Sequence, residues 1–192
     1  MSDFFQLQTP RLLLRQWQAK DYGEFAALNA DPQVMEYFPA CLNREESDAQ
    51  ADRFSTQISE RGWGFWAAEL IATGQFIGTI GLGQNSDTPL GEVVEAGWRL
   101  AQDFWGQGYA TEGAEAALVF AFAVLKNAEV YALTTVTNKR SQAVMHRLGM
   151  KNIGKNFMHP RVPAESPLRE HVVFRIDAQE FDTEMPVEIV AA

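Results

Sequence analysis

The chain holds one cysteine, Cys41, in 192 residues. No internal disulfide is possible, so the fold must rest on its core, and a reducing cytoplasm is the expected compartment. Long apolar runs are also lacking. The longest, "AALVFAFAVL" (116–125), is about half of what a bilayer needs and predicts a buried helix. "MSDFFQLQTPRLLLR" has its charges on the wrong side of any apolar core, so no secretory leader is expected. Basic residues are scarce: 16 Lys and Arg stand against 25 Asp and Glu, a net charge of −9. No basic cluster stands out, which argues against nucleic acid as the main partner, since backbone phosphates are held by grouped cations. An acidic surface instead tolerates cationic partners such as amines and basic peptides, or simply keeps the protein soluble. Repeats, low-complexity tracts and linkers are absent, so one domain over 1–192 is expected, long enough for a substantial core.

What is present is a punctuated pattern of strands and helices. "RLLLRQW" (11–17) predicts a strand after the Thr9-Pro10 entry. Asp21 predicts an N-cap, with Glu24 at capping-box spacing and Phe25 and Leu28 on one face of the helix behind it. "DPQVMEYFP" (31–39) predicts a loop rich in large apolar side chains. Asn43 and Glu46 repeat the cap pattern ahead of a helix ending at Gly62. Its apolar stripe is only Ala51, Phe54 and Ile58, so a peripheral helix is expected. Residues 62–84 predict two strands around Thr73-Gly74, and "EVVEAGWRLAQ" (92–102) a third. A helix over 109–125, a β-branched strand over 129–137, and a short helix from Asn138 to Gly149 follow. Strands at "MKNIGKNF" and "EHVVFRI" come last. Hairpin strands interrupted by one βαβ crossover predict a mixed sheet, not a doubly wound one.

Within "DFWGQGYATEGAEAALVFAF" (103–122), Gly106, Gly108 and Ala110 strip side chains from a turn that runs into a helix. Successive backbone N–H groups can then converge on an anion beside the positive end of the helix dipole, and pyrophosphate is the natural guest. Two nucleotide motifs do not fit. The spacing GxxxxGK[ST] is absent; Gly106-x-Gly108-x-x-Thr111 lacks a third glycine, and "ALTTVTN" ends without an acid. The stretch does resemble the acetyl-CoA loop of the GNAT acetyltransferase superfamily, [RQ]xxGx[GA] between a strand and a long helix, with Trp105 in place of the usual Arg or Gln. "WGQGYATEGA" looks like its Rim-type branch, which includes ribosomal-protein N-terminal acetyltransferases. "TPRLLLRQWQAKDYGEFAALNADPQVMEYF", "EAGWRL", "TNKRSQAVMHRLGMKNIG" and "FMHPRVPAESPLREHVVFRI" resemble, in order, that branch's opening, fourth strand, CoA-binding helix and ending. The resemblance implies an α/β (α+β) GNAT fold: a mixed, mostly antiparallel, twisted sheet of six to seven strands with about four helices. It also implies a splay between two central parallel strands, 93–101 and 129–137.

By the same resemblance, the backbone of Trp98, Arg99 and Leu100 is expected to face pantetheine, and Trp105, Gly106, Gln107, Gly108, Tyr109 and Ala110 to form the cofactor loop. Asn138 matches a CoA-contacting asparagine, or is only a helix cap. Ser141 matches the branch's serine. Where many members carry a tyrosine, four residues before Gly149, this chain has Met145, so the proton for the departing thiolate falls to Ser141. The implied reaction is direct attack of an amine on the thioester of acetyl-CoA, with no metal. Glu95 is the candidate base, or else a solvent-facing residue of an alternating strand; His159 and His171 are reserves, and His146 is expected at the surface. Met35, Tyr37, Phe38, Trp63 and Phe65 either line the acceptor site or belong to the core, with Phe38, Trp63 and Phe65 the substrate candidates. Cys41 has no histidine arrangement around it and is not expected to be a nucleophile. The acceptor is a primary amine: a protein or peptide N-terminus by the Rim likeness, or a polyamine, amino acid or aminoglycoside. An α-amine at roughly 7.7–8.0 is partly neutral at pH 7, whereas lysine at about 10.4 is not, so an N-terminal acceptor needs only a weak base. Two rival classes are a CoA-binding protein without turnover and a structural module that forms a homodimer through edge strands.

Overall fold

The computed structural model describes residues 4–191; residues 1–3 and Ala192, which the expected domain span includes, lie outside the described part. β1 (Phe5–Gln8) and β2 (Leu12–Arg15) form a hairpin closed by Thr9, whose hydroxyl accepts the Leu12 N–H at 2.8 Å and donates to Glu112 Oε1 at 2.6 Å. α1 (Asp21–Ala30) and α2 (Arg44–Arg61) come next, then β3 (Phe65–Leu70), β4 (Phe76–Asn85) and β5 (Val93–Leu100). A 3-10 turn at Gln102–Phe104 leads into α3 (Tyr109–Ala123), followed by β6 (Glu129–Thr135) and α4 (Lys139–Arg147). β7 (Lys151–Asn152), β8 (Phe157–Met158), β9 (Glu170–Asp177) and β10 (Glu188–Ala191) complete the chain.

All the strands join one sheet, in the order β10-β1-β2-β3-β4-β5-β6-β9-β7, with β8 beside β9. Every pairing is antiparallel except β5 with β6, which meet only at Glu95 and Tyr131. The mixed, mostly antiparallel sheet with four helices is therefore as expected, but it is wider than six to seven strands. β1 and β10, neither read from the sequence, pair with each other at one edge. "MKNIGKNF" is not one strand: Gly154, at φ 70°, breaks it into β7 and β8.

The two predicted helix caps part ways. Asn43 caps α2 with both halves of a capping box, each bond 2.9 Å. Asp21 does not cap α1. It lies fully buried inside the first turn, holding the Arg15 guanidinium through two bonds of 2.7 and 2.8 Å, with Lys20 at the cap position. A charge-assisted pair out of water is stronger than a bond to one exposed N–H, so the carboxylate turns inward.

α3 covers one face of the sheet; a Cβ on Gly113 would come 2.4 Å from Ile80 Cδ1, so helix and strand touch almost backbone to side chain. α1 and α2 cover the other face through an aromatic cluster, with Trp17 and Phe25 ring centroids 4.8 Å apart and Phe54 and Phe65 5.1 Å apart. Of the apolar stripe on α2, Ala51 and Ile58 are buried and Phe54 is half-buried against the core, while most of the helix faces water. β4 holds one residue more than β3 between Phe76 and Gly78, a bulge beside the Leu100 end of β5.

Candidate active site

The glycine turn lies where β5 gives way to α3. Gly106 (φ 73°) and Gly108 (φ 85°) both take left-handed backbone angles, which a side chain would resist. No side chain caps the start of α3, so its first N–H groups have no side-chain partner there. The turn is braced from β2. Arg11 Nη1 donates to the Gln107 carbonyl at 2.9 Å, Nε and Nη2 hold Glu112 Oε2 at 2.6 and 2.5 Å, and the guanidinium lies 4.5 Å over the Tyr109 ring. Sequence reasoning missed this brace, because Arg11 and Glu112 stand 101 residues apart.

A cavity of about 960 Å³ opens between the splayed strands. Its walls include Glu95, Trp98, Arg99, Leu100, Trp105, Gly106, Gly108, Tyr109, Ala110, Asn138 and Ser141, with Phe38 and Phe65 on the side of α1 and α2. Two predicted site residues lie off it. Gln107 is exposed, its Nε2 tied to the Asp103 carbonyl at 2.9 Å. Trp63 is half-buried and packs against the core. Wall residues that sequence reasoning did not single out include Val34, Phe54, Lys139, Arg140 and Arg147. The three cations all come from α4, whose "NKRSQAVMHR" was the available signal. Among the described lining residues Glu95 is the one carboxylate, against Arg99, Lys139, Arg140 and Arg147. A chain with net charge −9 thus sets cations along the exposed α4 side of the cavity, a better fit to phosphates than backbone donors alone.

Beyond Glu95, β5 pairs with β4 alone. The Ala101 N–H donates to the Ile77 carbonyl, so by antiparallel alternation the backbone groups of Trp98 and Leu100 point to the open edge. The Leu100 carbonyl is already used: Trp105 Nε1 donates to it at 2.9 Å. The Trp105 ring in turn lies 4.4 Å under the Arg140 guanidinium, which reaches Glu36 at 2.5 Å and so ties α4 to the loop after α1.

Glu95, Gly97 and Arg99 share the face of β5 that looks toward α2. Only glycine fits at Gly97 and at its neighbour Gly83, since a Cβ on either would sit 2.9 Å from the Phe65 ring. The Phe65 ring therefore lies flat between Glu95 and Arg99. Asn85 Nδ2 donates to Glu95 Oε2 at 2.5 Å, and the Arg161 charge and the Leu133 backbone also favour the ionised carboxyl. Desolvation outweighs those bonds and pushes the Glu95 carboxyl up to about 7. Arg99, equally desolvated, is lowered to about 10 and stays charged.

Asn138 is a working helix cap: its Oδ1 accepts the Ser141 N–H at 3.1 Å and its Nδ2 donates to Thr134 Oγ1 at 2.9 Å. That fixes Ser141 in the first turn of α4, half-buried on the cavity wall, one turn from buried Met145. The reserve histidines lie elsewhere. His159 and His171 pack ring to ring at 4.8 Å, outside the cavity lining, and burial holds both below the usual histidine range. His146 is exposed against Phe174, Cys41 is exposed, and Met35 is buried in the core beside Arg99. Tyr37 sits 5.6 Å from Arg140. Among the described residues no group of three or more His, Cys, Asp or Glu is placed to hold a metal ion, and no helix is long and apolar enough to cross a membrane.

The chain is similar to known proteins in sequence and in fold. The acetyltransferase (GNAT) domain family matches residues 11–151. YkkB of Bacillus subtilis (strain 168) is 32% identical over 148 residues, 75% of this chain and 84% of that protein. The FsC-acetyl coenzyme A-N(2)-transacetylase of Aspergillus fumigatus is 29% identical over 172 residues, 84% of this chain and 72% of that one. Among solved structures, a GNAT-family acetyltransferase from Bacillus anthracis superposes with a TM-score of 0.76 at 23% identity, covering 91% of this chain and 99% of that one; this is a likeness of fold.

Proposed function

Since the chain belongs to the GNAT acetyltransferase family, whose acetyl donor is acetyl-CoA, we propose that it acetylates a primary amine by direct attack, with Glu95 as base and Ser141 as proton donor. The observation that carries this reading is Glu95 itself: a carboxyl at about 7, on the wall of the cavity, at the last contact of β5 with β6. As the amine nitrogen bonds to the acetyl carbon, its proton passes to Glu95 directly or through one water, and Glu95 later returns it to solvent. The carbon–sulfur bond breaks, and the Ser141 hydroxyl passes a proton to the thiolate while taking one from solvent water. Acetyl-CoA supplies the activated acetyl group. The residues that fit its phosphates are the glycine turn, the uncapped start of α3, and Lys139, Arg140 and Arg147.

Proton transfer favours acceptors of low basicity. An α-amine at roughly 7.7–8.0 lies within about one unit of Glu95, while lysine at about 10.4 lies more than three units above it. This supports an α-amine acceptor, of a peptide N-terminus or of a small molecule. Polyamines and aminoglycosides fit poorly, because the lining has one carboxylate against four cations. A CoA-binding protein without turnover would have no use for a desolvated carboxyl at this place. The test is thiol release from acetyl-CoA across a panel of amines, for wild type, Glu95→Gln and Ser141→Ala. Each variant is expected to lose turnover, about 10²–10⁴-fold for Glu95→Gln, with CoA affinity kept. Unchanged turnover in both variants would remove the two catalytic assignments.

A further inference from the structure

Resting on that reading of the cavity, we propose that the acceptor amine carries a carboxylate, received by the Nε/Nη2 edge of Arg99 at the α1–α2 end of the cavity. Arg99 is held in place on its other edge. Nη1 is within hydrogen-bonding reach of Asn29 Oδ1 and Gln50 Oε1, the latter at 3.1 Å, and lies 3.9 Å from Met35 Sδ. The Phe38 ring lies 4.3 Å from its guanidinium carbon. All these partners are neutral. Nε is buried with no hydrogen-bond partner, and among the described residues no carboxylate oxygen lies within salt-bridge reach of the guanidinium.

Arg15, 3% exposed, is by contrast held by both Asp21 and Glu69. Arg99, half-buried on the cavity wall and left with amides and a thioether, keeps its Nε/Nη2 edge free for an anion from outside. The parallel N–H groups of Nε and Nη2 match the two oxygens of a carboxylate, which is why arginine and not lysine suits such a site. Phe38, Phe54 and Phe65 line the space around it, so the middle of the acceptor is apolar.

The spacing limits the acceptor further. Glu95 and Arg99 are four residues apart on one face of β5, about 13 Å between Cα atoms at the usual strand rise. The Arg99 head points to α1, away from Glu95. An amino acid whose amine and carboxylate share one carbon is too short to reach both. A short peptide, with its α-amine and C-terminal carboxylate several bonds apart, spans them.

The experiment compares matched pairs: Gly-Gly-Gly with its C-terminal amide, and Gly-Phe-Gly as free acid with its C-terminal amide, with glycine as the short control. In wild type, kcat/KM is expected to favour each acid over its amide by about ten- to a hundredfold, the worth of a hydrogen bond to a charged group. Arg99→Met is expected to bring that ratio to near one, and Arg99→Lys to an intermediate value. Equal rates for acid and amide in wild type would overturn the proposal. A second measurement needs no turnover: thermal unfolding in CoA with the N-acetylated acid or the N-acetylated amide. The acid alone should raise the midpoint, in wild type and not in Arg99→Met; equal shifts would again overturn the proposal. If no amine is acetylated yet the acetylated acid still shifts wild type alone, the catalytic reading fails and the carboxylate site stands. Should Arg99→Met not fold, the wild-type preference and Arg99→Lys decide.

Discussion

Glu95 is ionised only above about pH 7, and the consequences for activity and for stability run in opposite directions. As a base it must be deprotonated, so kcat/KM for the neutral amine is expected to climb through pH 7 and level off above it. A pH–rate profile with its acidic limb near 4.5 would assign the limb to an ordinary carboxylate and remove Glu95 from the role. For stability, the folded-state pKa is raised above the ordinary 4.5, so between about pH 4.5 and 7 the folded protein keeps a proton that the unfolded chain releases. Stability therefore falls as pH rises through that window and stays lower above it. Glu95→Gln removes the ionisation, and at pH 8 it should be more stable than wild type by up to about 3 kcal/mol, with little difference at pH 4. Denaturant unfolding at the two pH values measures this directly. A residue that weakens the fold at working pH is what a catalytic carboxyl in a dry wall looks like.

Elements obey the local code where water surrounds them and depart from it where charge is buried. Asn43 and Glu46 sit on an exposed helix start, and there the capping box forms as its spacing predicts. Asn43→Ala should lose about 1 kcal/mol, or roughly 2–4 °C in unfolding midpoint, without touching activity. Asp21 has the same spacing to Glu24, but Arg15 lies beneath it and takes the carboxylate. The turn into α3 joins both kinds of control. Its glycines were legible; the brace from Arg11 and Glu112 was not. Gly108→Ala puts a side chain on a residue at φ 85°, with its Cβ 3.3 Å from Arg11 Nη2. The backbone strain is about 1–2 kcal/mol, and the displaced brace loosens the turn. The expected readout is a smaller CoA-induced rise in unfolding midpoint than in wild type; an equal rise would mean that the turn plays no part in holding CoA.

On the scale of the whole molecule, the acidic surface and the basic cavity are separate facts. The sum of charges, −9, argued only against nucleic acid and left pyrophosphate to the backbone donors of the glycine turn; the fold adds Lys139, Arg140 and Arg147 along the cavity. CoA and acetyl-CoA at about 100 times their dissociation constants should each stabilise the protein by roughly 2.7 kcal/mol, or about 5–10 °C. NAD and ATP at matched ionic strength should shift it much less. Equal shifts with all four would reduce the cavity to a general polyanion site. The sheet ends in the four-residue β10 on one side and the two-residue β7 on the other. Light scattering tests whether either edge pairs with a second copy.

What the sequence determined by itself were features written in a few neighbouring residues: the glycine turn ahead of a helix, the Asn138 and Asn43 caps, the βαβ crossover inside a run of hairpins. Backbone angles and caps depend on adjacent residues, so they survive being read along a line. The tertiary structure alone decided which carboxylate would be dry, which arginine would go without an acid, and which cations would face inward. Those outcomes depend on packing between distant segments: Glu95 meets Leu133, Arg99 meets Asn29, Arg11 meets Glu112. Alternation along β5 places Glu95 and Arg99 on one face. Only the packing over that face leaves one a carboxyl that titrates near neutral pH and the other a charge with no acid beside it.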